Sequence, residues 1–254
     1  MQVPPVQHRT LRTAFRTECD EYAVTVPASG DPALILIPHA TEPSGMVFYL
    51  HGRTGDETVI HDRAQVRDAL LDAGYIVACP FLHGDRWGNR QAQDDLCALD
   101  DWVNGRWPAP RRFVIGESMG GNAAANALRL REIDWDGAVF IAPSLSMQAV
   151  WERGGAGRET LSAAYGLAAD GHDLESRTDG WDAVRHHPGD YAGVRVLVYA
   201  SADDEIANIP EVTGPWADRL RRATGTVEFL VVSGEHVSDD HFRPAELVSF
   251  FGAR

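Results

Sequence analysis

The chain has 254 residues, with 23 basic and 37 acidic side chains and a formal net charge of −14 at pH 7. Every basic residue is arginine, and the absence of lysine excludes a Schiff-base lysine, a phosphate-loop lysine and a Ser-Lys dyad. The acidic balance repels phosphate backbones and anionic lipid, so neither a nucleic-acid partner nor a membrane role is expected.

A hydrophobic fraction of 44% with 24% charged residues suits a globular chain with a sizeable core. The three cysteines, Cys19, Cys79 and Cys97, cannot all pair and form no Cys-x-x-Cys motif, which points to a reduced compartment. The opening MQVPPVQHRTLRTAFR lacks an apolar signal region, and no run approaches the roughly 18 apolar residues of a membrane span. A cytoplasmic location is the expectation.

In chain order, 22–26 and 33–38 read as strands joined by the turn sequence ASGDP, hence a hairpin. The run MVFYL at 46–50 reads as a strand covered on both faces. A helix is expected over 58–73, ending at Gly74, then a strand at 75–79 and a helix over 91–103. A strand at 112–115 leads to a helix over 119–131, with further strands at 138–142 and 194–200. A helix over 215–223, a strand at 227–232 and a helix over 245–251 close the chain. Strands alternating with helices from residue 46 onward imply right-handed crossovers and a mostly parallel sheet, in one domain spanning 1–254. Residues 144–190 exceed a plain crossover and read as a small cap inserted into that domain.

The most specific local feature is GESMGG at Gly116–Gly121, a G-x-S-x-G pattern between an apolar strand and a small-residue helix. A nucleophilic Ser118 on such a turn needs glycine at 116 and 120, where the backbone crowds its neighbours, and the Met119 N–H behind it can face a developing oxyanion. A serine nucleophile needs a base and an orienting acid, expected after later strands in the order Ser, acid, His. The strand VRVLVYA runs into Ser-Ala-Asp-Asp-Glu, where Asp203 is the chosen acid and Asp204 the alternative. The strand VEFLVV runs into Ser-Gly-Glu-His, which selects His236 over His241 as the base. A second oxyanion donor is expected in the His51-Gly52-Arg53-Thr54-Gly55 loop, from the Arg53 N–H or alternatively from Thr54. The Arg53 side chain can reach an anionic substrate group or remain in solvent. Trp87 and Trp151 are candidates for lining a substrate pocket, and Arg86 could join Arg53 at its mouth. No metal site is expected: there is no HExxH, and His186-His187 reads as a loop pair.

The HG loop, the GESMG elbow, the acid after a late strand and the histidine after the last strand together resemble the α/β-hydrolase superfamily, from about residue 20 to the end. The resemblance implies a three-layer α/β-hydrolase fold with a mostly parallel eight-stranded sheet whose second strand is antiparallel. It implies an acyl-enzyme mechanism needing no metal or organic cofactor. The expected activity is that of a serine esterase on a small or medium ester, a small-molecule partner. An acyltransferase, thioesterase or peptidase would use the same residues, and a catalytically silent binding protein is the remaining alternative.

Overall fold

The computed structural model describes residues 6–14, 17–39, 42–224 and 226–253. Within them, β1 (Gln7–Arg12), β2 (Glu18–Thr25), β3 (Pro32–Pro38), β4 (Gly45–Leu50), β5 (Tyr75–Pro80), β6 (Arg112–Glu117), β7 (Gly137–Ile141), β8 (Arg195–Ser201) and β9 (Val227–Val232) form one sheet. Its order is β1-β2-β3-β5-β4-β6-β7-β8-β9. β1 to β3 run antiparallel to one another and β3 runs antiparallel to β5, while every pair from β5 to β9 is parallel. The sheet therefore exceeds the expected eight strands by one. The additional strand is β1, the polar segment QHRTLR, whose exposed alternation carries no apolar signal and which is held by edge pairing to β2. Counted from β2, the antiparallel second strand is β3, as the resemblance implies.

The strands from β4 to β8 alternate inward residues toward two separate helical layers, because both faces of a parallel sheet must be covered. Phe48, Val114, Phe140 and Val198 face α2 (Arg90–Asn104), α3 (Met119–Leu130) and α7 (Gly214–Thr224). Val47, Ile115, Val139 and Leu197 face α1 (Ala64–Asp72) and α8 (Pro244–Gly252). Cys19, Cys79 and Cys97 are free thiols. No helix among the described residues is long and apolar enough to cross a membrane.

The helix expected over 58–73 is broken. A single 3-10 turn, Val59–His61, precedes α1, and Arg63 stands at the break with φ −108° and ψ 42°. From there the Arg63 guanidinium makes two bonds to the buried Glu117 carboxylate, Nε at 3.0 Å and Nη2 at 2.9 Å, while its cationic carbon sits 4.6 Å from the Phe242 ring centre. The buried Tyr49 hydroxyl donates to the same carboxylate. Burial, together with the Glu117 charge, holds the Tyr49 hydroxyl well above its ordinary pKa, so it remains a donor.

The segment between β7 and β8 folds as α4 (Met147–Arg153), α5 (Gly155–Tyr165), α6 (Leu174–Arg177) and two 3-10 turns. Met147, Val150, Leu161 and Leu174 bury against Trp87 and Met119, so the insertion packs on the loop after β5 and on the start of α3. Two buried asparagines one turn apart on α3 fix it further: Asn122 Nδ2 and Asn126 Nδ2 donate to the Trp181 carbonyl at 3.1 and 2.9 Å, and Asn122 Oδ1 accepts from Ala183 N at 3.1 Å. At its C-terminal end His186 is buried, with Nδ1 2.7 Å from the Tyr191 hydroxyl. Burial, and secondarily the Arg129 charge, pushes the His186 imidazole down from 6.5 to about 3.

Two stability measurements follow from these contacts. Replacing Arg63 by Met strands the Glu117 carboxylate in the interior and is expected to cost about 3–5 kcal/mol; a urea-unfolding difference below about 1 kcal/mol would show that the pair is not holding this region. His186 binds a proton readily only when unfolded, so its stabilising contribution is complete above 6.5 and is lost progressively as the pH falls towards about 3. Between pH 6 and 4 the wild type should therefore lose stability more steeply than His186→Gln, by up to about 1.4 kcal/mol per pH unit. Parallel pH slopes for the two proteins would contradict that assignment.

Candidate active site

β6 ends in the elbow. Ser118 takes φ 50° and ψ −113°, outside the regions a non-glycine residue ordinarily occupies. Its backbone is held on both sides: Ser118 N donates to Ile141 O at 2.9 Å, and Ser118 O accepts from Gly121 N at 2.9 Å and Ser144 N at 2.8 Å. A Cβ on Gly116 would lie 2.5 Å from Gly120 O, and one on Gly120 would lie 2.2 Å from Leu50 O. Both positions therefore exclude any side chain, as the sequence pattern implied.

β8 and β9 pair in parallel through Ser201 and Val232, so the loops that follow them emerge side by side. They bring His236 Nε2 to 2.8 Å from Ser118 Oγ, and Asp204 Oδ2 to 2.8 Å from His236 Nδ1. The acid in contact with His236 is thus Asp204 and not Asp203. β8 ends at Ser201, one residue beyond the sequence expectation, so the third residue of the loop that follows is Asp204 and not Asp203. Asp203 is exposed, with Oδ2 3.3 Å from Gly234 N. Asp204 is buried, and its Oδ1 accepts from Ile206 N and Ala207 N, each at 2.8 Å. Burial pushes the Asp204 carboxyl up, but bonds from His236 and these two N–H groups outweigh it and hold the pKa below the usual carboxylate value. Asp204 is accordingly an anion that can fix the imidazole and balance a positive charge on it. His241 is fully buried, with Nδ1 3.2 Å from Ser238 Oγ, and makes no bond to Ser118.

β4 and β6 are neighbours in register through Leu50 and Gly116, which carries the loop after β4 across the elbow. A Cβ on Gly52 would stand 3.4 Å from Ser118 Cβ. The Thr54 N–H is committed to Asp85 Oδ1 at 2.7 Å, so of the two donors considered only the Arg53 N–H is without a protein acceptor among the described residues. His51 serves the loop itself, with ring nitrogens 2.7 Å from Gly52 O and 2.8 Å from Phe81 O. Met119, the first residue of α3, has an N–H with no intrahelical partner by virtue of its position.

Ser118 and His236 open into a cavity of about 420 Å³ that Trp87, Val150, Ile206 and Val237 line with apolar surface. Trp87 is there, its Nε1 held by Thr160 Oγ1 at 3.0 Å. Arg86 and Trp151 are not among the lining residues. Arg86 Nε donates back to His83 O at 3.2 Å, and Trp151 stacks under Arg158, 4.9 Å from guanidinium carbon to ring centre. Sequence reasoning passed over Arg63, Glu117, Ser144 and Arg153, which do line the cavity. Glu117 was visible inside the elbow motif, but its partner Arg63 is 54 residues away and no local pattern joins them.

One group of metal-type ligands occurs among the described residues: Asp31, His83 and Asp95, with donor atoms within 4.8 Å of one another. Asp31 already accepts from Leu82 N and His83 N, each at 2.8 Å, and His83 Nδ1 lies 2.7 Å from Asp95 Oδ2. Burial pushes the Asp95 carboxyl up to about 6. The cluster ties the start of β3 to the loop after β5 through its own hydrogen bonds.

No match was found among curated proteins. Among solved structures, the Pyrococcus furiosus esterase Pf2001 is 18% identical, with TM-score 0.63 over 98% of this chain and 90% of that one. The Staphylococcus aureus fluorophosphonate-binding serine hydrolase F is 15% identical, with TM-score 0.71 over 97% of each chain. An S-formylglutathione hydrolase from Agrobacterium tumefaciens is 14% identical, with TM-score 0.65 over 99% of this chain and 96% of that one. At these identities the likeness is one of fold. Residues 41–188, more than half of the chain, match the family model described as serine aminopeptidase, S33. The chain therefore belongs to the S33 serine aminopeptidase family of α/β-hydrolases and is, by family, a serine hydrolase.

Proposed function

We propose that the protein hydrolyses a small or medium carboxylic ester with Ser118 as nucleophile, His236 as general base and acid, and Asp204 as the orienting carboxylate. The observation that carries this reading is the unbroken chain from Ser118 Oγ through His236 to Asp204, two bonds of 2.8 Å each, at a cavity of about 420 Å³. Ser118 Oγ attacks the ester carbonyl carbon as its proton passes to His236 Nε2. The resulting oxyanion is met by the N–H groups of Arg53 and Met119, donors whose individual removal typically costs about 2.7–4 kcal/mol of barrier. Collapse breaks the carbon–alkoxy bond, and the alcohol leaves with the proton from His236. Water, deprotonated by the same imidazole, then releases the acid and restores Ser118.

The family description makes an aminopeptidase the second reading. That activity requires a carboxylate to receive the substrate ammonium, and among the described residues Glu117 is the one carboxylate lining the cavity. Both of its oxygens are engaged by Arg63. The charge in the cavity therefore favours an ester over a peptide with a free amino terminus.

Turnover of p-nitrophenyl esters of two to eight carbons, set against amino-acid p-nitroanilides, separates the two readings. Ester hydrolysis is expected to dominate and to vanish in Ser118→Ala; an alanine variant that keeps the wild-type rate would exclude Ser118 as nucleophile. Asp204→Asn should lower kcat by about 10³–10⁴-fold, the scale seen when a triad acid loses its charge. Asp203→Asn should change it less than about tenfold, and the reverse ranking would return the role to Asp203.

A further inference from the structure

We propose that the ester substrate carries a free carboxylate, bound by the side chains of Arg53 and Arg153; the proposal rests on the hydrolase reading above and names its substrate class. Among the described residues, four charged side chains with fixed sign line the cavity, Arg53, Arg63, Arg153 and Glu117. Arg63 and Glu117 neutralise each other through their paired bonds. Two positive charges remain, in a chain whose net charge is −14. Many arginines outside the cavity also lack a carboxylate partner, while others have one, as in Arg9–Glu21, Arg12–Glu18, Arg90–Asp94 and Arg112–Asp100; what sets Arg53 and Arg153 apart is that they are the unpaired ones lining the cavity. Arg53 and Arg153 have no carboxylate partner among the described residues.

The two arginines come from different parts of the fold. Arg53 stands on the loop after β4, beside its own backbone N–H at the elbow. Arg153 is the last residue of α4 in the insertion, and its Nη2 donates to Ile206 O at 2.7 Å. That bond holds the guanidinium against the Asp204 loop while Nε and Nη1 stay without protein acceptors among the described residues. Planar guanidinium donors match a carboxylate geometrically, and the bond is charge-assisted. The overall negative field penalises a dianion more than a monoanion, which favours a carboxylate over a phosphate. The substrate class is then a monoester of a short dicarboxylic acid, its ester carbonyl at Ser118 and its second carboxylate between the two arginines.

The test compares mono-p-nitrophenyl glutarate with its neutral methyl-capped counterpart. The wild type should favour the free carboxylate at least tenfold in kcat/KM, mainly through KM, because the contact is remote from the reacting carbon. Arg153→Gln and Arg53→Gln should each reduce that ratio about tenfold. Arg222→Gln, which removes the same charge from the far end of α7, should leave it unchanged. A wild-type ratio at or below one, or a ratio insensitive to both cavity variants, overturns the proposal while leaving the hydrolase reading in place. So does failure to cleave the free-acid ester when a fluorophosphonate still labels Ser118. A phosphate-ended ester preferred over the carboxylate one overturns the carboxylate assignment. No cleavage of either ester, with Ser118 unlabelled, overturns both readings.

Discussion

The site depends on how closely the start of α3 can approach the end of β4. At Gly120 the helix lies so near the Leu50 carbonyl that a single Cβ would sit 2.2 Å away, and Gly116 leaves equally little room beneath Gly120. That contact presses the elbow against the loop after β4. It forces Ser118 into a backbone conformation of the kind that costs about 1–3 kcal/mol. The cost is offset where it arises, by three backbone bonds at Ser118, two of them to the strand and loop that lead into the insertion. A residue larger than glycine at either position would push the start of α3 away from the end of β4 and carry Ser118 with it.

The same helix controls the insertion. Asn122 and Asn126 lie one turn apart on the face of α3 that meets the insertion, and both donate to Trp181 O. Asn122 also donates to Trp87 O at 2.8 Å, so one side chain joins the helix, the loop after β5 and the insertion. Buried amides are costly unless bonded, and here the bonds lock the wall of the cavity to the element that carries Ser118.

Much of this was legible in the chain because apolar periodicity and glycine placement are local signals. The strands from β2 to β9 lie within a few residues of where their patterns put them, as do the helices of the sheet layers except for the break before α1, and Ser118 and His236 were selected by position after a strand. What escaped has a physical reason in each instance. β1 carries no apolar alternation because it is an exposed edge, stabilised by pairing that only β2 supplies. The preference for Asp203 was counted from a β8 ending at Ala200; β8 ends at Ser201, and the third residue beyond it is Asp204. Trp151 was a candidate as an aromatic of the insertion and Arg86 as an arginine that could join Arg53 at the pocket mouth, but each is turned to another partner, Arg158 and the His83 carbonyl. Arg153 was not singled out because its place depends on the insertion folding back over the Asp204 loop.

Glu117 shows why stability and chemistry cannot be separated at this site. A carboxylate beside Ser118 would repel the oxyanion of the proposed attack, and in a partly buried cavity that repulsion is poorly screened. The family of contacts around it removes the problem before substrate arrives. Arg63 covers both oxygens, Phe242 fixes the guanidinium from the other side, and the Tyr49 hydroxyl fills a remaining lone pair. The break in the helix between His61 and Ala64 is what allows Arg63 to point inward, and a continuous helix would leave Glu117 charged and unpaired. A neutralised Glu117 also explains why the cavity retains a positive balance although the chain as a whole is strongly acidic. The local field that a substrate meets is set first by which nearby charges have partners, and the sum over the molecule adds a weaker, screened background.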